Sequence, residues 1–102
     1  MENQPEQQPL NIELTEEMAD GTYANLAIIT HSFAEFVVDF VRIMPGVPKA
    51  KVKSRIILTP EHAKQLMKAL QDNINRFEAA NGVIQSKDMP YPLNFGTPKG
   101  EA

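Results

Sequence analysis

Residues 50–81 read AKVKSRIILTPEHAKQLMKALQDNINRFEAAN, and the change of period inside this stretch decides the fold. Up to Leu58 the chain alternates. Val52, Ser54, Ile56 and Leu58 fall on one side of an extended segment and Lys51, Lys53, Arg55 and Ile57 on the other, the two-residue repeat of a β-strand. From Ala63 the apolar residues recur every three or four positions, at Leu66, Met67, Leu70, Ile74 and Phe77, which lays one stripe along a helix. Thr59-Pro60-Glu61 marks the switch: a hydroxyl that can accept from a free first-turn amide, a proline where no amide is needed, and a carboxylate at the positive end of the helix dipole. Asn81-Gly82 is the predicted end of the helix, with Val83 and Ile84 folding back on the last turn.

Strand signals continue upstream. Pro45-Gly46-Val47-Pro48 breaks the alternation, and residues 35–43 (EFVVDFVRI) resume it with Phe36, Val38 and Phe40 on one face. Residues 22–30 (TYANLAIIT) are apolar and β-branched enough for a strand that pairs with 35–43 through His31-Ser32-Phe33-Ala34. Leu10, Ile12 and Leu14 alternate with polar residues and predict a further short strand, followed by an Asp20-Gly21 turn. Residues 15–20 (TEEMAD) also read as one helical turn capped by Thr15. The fold class is therefore α+β: an antiparallel β-sheet of three to four strands followed by one long amphipathic C-terminal helix, whose stripe is expected to cover one sheet face.

The 102 residues allow one domain. Residues 1–9 and 86–102 are polar and proline-containing and read as tails, leaving 10–85 as the folded unit; DMPYPLNF in the second tail reads either as a docking peptide or as plain linker. The absence of cysteine removes disulfides, thiolate chemistry and cysteine-ligated zinc, and suits a cytoplasmic setting. The acidic, polar start does not resemble a signal peptide, and the apolar run from Phe33 to Met44 is too short and too charged to span a bilayer. A net charge of −3 gives no overall attraction to nucleic acid or anionic lipid.

No catalytic constellation is apparent. His31 and Ser32 are adjacent, but neighbouring strand residues point to opposite faces, so they read as a hairpin-end histidine and a turn serine. His62 falls in the first helical turn. The histidines have no metal-ligand spacing, Glu16, Glu17, Glu35 and Asp39 fit no calcium-loop pattern, and the 5 glycines are scattered, so neither metal nor other cofactor is expected. An enzyme is not expected; a pocket uniting His31, Glu35 and Arg55 would reopen the question.

Two surfaces are candidates for binding. Val37, Val41, Ile43 and Ile57 lie on the sheet face opposite Phe36, Val38 and Phe40, so the sheet is apolar on both sides while a single helix can cover only one. A small single core without disulfides also favours self-association. Lys49, Lys51, Lys53 and Arg55 recur at every second position and predict a basic strip that could meet phosphates. The alternative is a charge-balanced face in which Asp39 lies near Lys53 or Arg55, and no aromatic residue interleaves with the basic ones as a single-strand binding platform requires.

The segments Tyr23-Ala24-Asn25, Glu35-Phe36-Val37-Val38-Asp39-Phe40, Ser54-Arg55-Ile56 and Pro60-Glu61-His62-Ala63-Lys64 together resemble a family of small bacterial and archaeal proteins of unknown function, over residues 10–85. LNIELTEEMADGTYANLAIIT, residues 10–30, is similar to the early segment of SecB-type export chaperones, which implies tetramers of antiparallel sheets that hold unfolded clients. The expected function is that of a non-enzymatic, homo-oligomeric protein-interaction module, chaperone-like in the sense of that resemblance. Its partners would be a second copy, as dimer or tetramer, or an unfolded protein client. A nucleic-acid-associated module using Lys49, Lys51, Lys53 and Arg55 is the alternative.

Overall fold

The computed structural model describes residues 8–87; the tails expected at 1–9 and 86–102 fall almost wholly outside them, and DMPYPLNF does so entirely. Three strands, β1 (Leu26–His31), β2 (Phe36–Arg42) and β3 (Lys51–Leu58), form an antiparallel meander in the order β1-β2-β3. A single turn, α1 (Glu16–Ala19), precedes the sheet and a long helix, α2 (Pro60–Asn81), follows it. This is the expected α+β arrangement, with three strands.

Local chemistry places each joint. The β1–β2 loop closes where Ser32 N–H donates to Glu35 O at 2.9 Å, and Ser32 Oγ accepts from Ala34 N–H at 3.3 Å. The β2–β3 connection contains Met44-Pro45-Gly46-Val47, with Gly46 at φ 80° and Val47 N–H donating to Met44 O at 3.2 Å, the residue order and bond of a type II turn. A side chain at Gly46 would be strained by that positive φ. Thr59 caps α2 by accepting from His62 N–H at 3.2 Å, and the same hydroxyl lies 3.1 Å from His62 Nδ1.

Asn25 extends the β1–β2 ladder beyond its last regular residue. Its backbone N–H donates to Val41 O at 3.0 Å, while its side-chain amide copies a peptide group: Nδ2 donates to Ile43 O at 3.0 Å and Oδ1 accepts from Ile43 N–H at 2.7 Å. With side chain standing in for backbone at Asn25, β1 begins at Leu26 and not at residue 22, where the sequence predicts the strand to start.

The expected strand at Leu10, Ile12 and Leu14 is absent. These residues lie in irregular chain, 84, 85 and 70 % exposed. Alternation supplies a face but no hydrogen-bond partner, and in one copy of the chain the segment meets no strand edge. The helical reading of 15–20 holds instead, as α1 with Thr15 accepting from Met18 N–H at 3.2 Å.

The core is small. Among the described apolar residues only Val38, 6 % exposed, and Val41, 4 %, are buried, and both belong to β2. Asn25→Ala should lower the unfolding free energy by about 1–2 kcal/mol through loss of two ladder-extending bonds. An unchanged denaturation midpoint would mean that this amide does not hold the strand end.

Candidate interaction site

The strand register assigns every residue to a face. On the first lie Phe36, Val38 and Phe40 with Ala27, Ile29 and His31 from β1 and Ser54, Ile56 and Leu58 from β3. On the second lie Val37, Asp39 and Val41 with Leu26, Ile28, Thr30, Val52, Arg55 and Ile57. The first is apolar at its centre, and the second carries apolar residues around Asp39 and Arg55, so β2 must be shielded on both sides.

Helix α2 begins after one linking residue, Thr59, and its first turns flank the first face. Between them runs a cleft of about 560 Å³, whose walls include Ile29, Phe36, Val38, Leu58, Met67 and Leu70. The stripe was expected to cover this face and does so only in part: Leu66, Met67, Leu70 and Phe77 remain 48, 59, 56 and 51 % exposed. The reason is geometric. The cleft lining stops at Leu70, whereas Ile74 and Phe77 meet Ile84, which folds back with its N–H donating to Glu78 Oε2 at 2.9 Å. Helix and sheet therefore confront each other across open space instead of interlocking, and half-covered Leu and Met side chains forgo about 1 kcal/mol each of possible burial.

The second face is organised around an ion pair. Asp39 and Arg55 are direct cross-strand partners; Arg55 Nε donates to Asp39 Oδ1 at 2.7 Å and Nη2 to Oδ2 at 2.9 Å. Such a two-pronged pair is stronger than a single contact. The Asp39 side chain is 12 % exposed and that of Arg55 61 %, so the acid is enclosed while the base bridges to solvent. The hydrogen bonds from Arg55 hold the Asp39 carboxyl below its ordinary value, against the upward push of burial.

The four residues expected to form an interface on this face are differently placed. Val41 is already buried within the protomer, Val37 and Ile43 are half-buried, and Ile57 is 55 % exposed. On the other side the cleft is framed by Ile29, which the sequence does not single out, and by Leu66, Met67 and Leu70, which the sequence assigns to the covering stripe and not to an open wall. The available signal was a 22-residue helix with a full apolar stripe beside so few strands.

The basic strip is divided by a β-bulge. Phe40 faces Ser54 and Val41 faces Val52, so Lys53 has no opposite residue and the alternation of β3 slips by one. Lys51 consequently pairs with Arg42 and Arg55 with Asp39, three positions apart on β2 and on opposite faces, while Lys49 lies outside the strand. Of the two charge pairings considered for Asp39, the structure selects Arg55. His31 stacks on Phe36 with ring centroids 5.3 Å apart, on the face opposite Arg55, so His31 and Arg55 do not share a pocket.

The chain belongs to the family described as "Protein of unknown function (DUF3467)", whose model matches residues 1–86. It has no match among curated proteins or solved structures. No described helix is long and apolar enough to cross a membrane.

The lowered Asp39 pKa has a definite sign. The pair contributes stability above the unfolded value of about 3.9 and loses it as pH falls through the lower folded value. Arg55→Met should raise the Asp39 titration midpoint, read by carboxyl-carbon NMR, and cost about 1–3 kcal/mol at neutral pH. Equal midpoints in the two proteins would remove Arg55 as the cause.

Proposed function

We propose that this chain is a non-enzymatic protein-interaction module that works as a homo-oligomer. One observation carries the reading: the stripe of α2 and the sheet face opposite it leave an open apolar cleft, with Leu66, Met67, Leu70 and Phe77 about half exposed. Exposed apolar surface on that scale usually marks an interface. A second copy brings the same surface, and a two-fold arrangement lets each stripe fill the other's cleft with no further component.

The cleft is lined by side chains without hydrogen-bonding groups apart from Lys64, which suits packing better than chemistry. In an assembled form, any stretch of stripe left open would receive an extended apolar segment of another protein, the chaperone-like variant of the same reading. Phe33, fully exposed at the tip of the β1–β2 loop, adds a second apolar contact point.

Leu70→Glu and Met67→Glu introduce a charge on the cleft wall without touching Val38 or Val41. Each should shift the solution mass toward 11.4 kDa while far-UV circular dichroism retains the helix. Retention of the wild-type mass by both variants would overturn the interface, and Ile57→Asp then tests the second face.

A further inference from the structure

We infer that residues Leu10–Leu14 form an intermolecular strand, adding to the free edge of β3 in a second copy of this chain. The inference rests on the homo-oligomeric reading and adds to its stripe-and-cleft contact a second one, between strands. Its first support is the segment itself. Leu10, Ile12 and Leu14 alternate with Asn11 and Glu13 as a half-buried strand does, yet all three apolar side chains are at least 70 % exposed. A strand pattern without a partner calls for an edge.

The second support is the edge on offer. In the order β1-β2-β3, β3 is eight residues long, contains no proline and has one side unpaired among the described residues. Val52, Ile56 and Ile57 are 50, 43 and 55 % exposed along it, apolar on both faces. Such an edge attracts other strands unless something guards it. Here the guards are Lys51 and Lys53, both exposed, which repel a basic strand and admit an acidic one.

The third support is charge complementarity. Glu13 lies inside the segment, and Glu16 and Glu17 follow after Thr15 in the first turn of α1, without a basic residue between Leu10 and Asp20. Opposite charges across antiparallel neighbours are favourable, and like charges unfavourable. The edge of β1, Leu26–His31, carries no such basic residues, so charge selects β3. Connectivity then favours the second copy, because the link from Leu14 leads through α1 into β1, at the opposite side of the sheet from β3.

Complementary charge reversal tests the exchange in the full chain. One variant carries Glu13→Lys, Glu16→Lys and Glu17→Lys; the other carries Lys51→Glu and Lys53→Glu. Alone, each should dissociate at least about tenfold more readily than wild type in sedimentation, because like charges then face each other. Mixed in equal amounts, they should form a heteromer, since each acidic strand again meets a basic one. Ile12→Pro, at an exposed position outside the sheet, should weaken assembly without loss of secondary structure. Individual weakening without rescue on mixing would mean pairing within one chain and would overturn the exchange. Unaltered assembly of both variants and of Ile12→Pro would overturn it too, while leaving the homo-oligomeric reading intact. A monomeric wild type would remove that reading and, with it, this one.

Discussion

Strand β2 sits at the centre of three and carries apolar side chains on both faces, whereas the described residues supply one helix after it and a single helical turn before it. That mismatch governs the rest of the structure. Val38 and Val41 are buried on opposite sides of the same strand, and almost every other large apolar residue described stays at least partly open. Folding must offset a backbone entropy cost of about 1–2 kcal/mol per ordered residue, and two buried valines are a slender return for it. The proposal that another surface completes the core rests on this deficit and not on any motif.

The two faces answer the mismatch differently. On the second, the Asp39–Arg55 fork places an ion pair amid Leu26, Ile28, Val37 and Ile57, with the guanidinium reaching solvent. Such a pair fixes cross-strand register, because a slip by one residue would separate the partners and leave the enclosed carboxylate uncompensated. On the first, the described residues form no ion pair of this kind and leave a cleft between apolar walls. The first face is therefore the better seat for a partner. The bulge at Lys53 connects the two: by shifting the phase of β3 it lets Arg55 meet Asp39 while Lys51 goes to the other side.

Much of this was legible in the sequence because it is local. The strand-to-helix switch at Thr59-Pro60, the meander and the end of α2 at Asn81 depend on period, capping and turn residues, all within a few positions of one another. Asn25 was not legible, since its amide bonds Ile43, 18 residues away. Nor was the bulge, whose signature is a pairing and not a residue type, and without it four alternating basic residues read as one face. The segment Leu10–Leu14 shows the limit most clearly: alternation reports a strand's face and says nothing of which edge receives it. The cleft was missed for a related reason, because an amphipathic stripe predicts a partner surface but not how closely one chain can supply it.

The central claim is that the core is completed between copies, and the solution mass of the full wild-type chain tests it most directly. Light scattering after gel filtration, across a range of concentrations, should give two or more times 11.4 kDa, in whole multiples. A mass of 11.4 kDa at every concentration, with the chain cooperatively folded, would contradict the account.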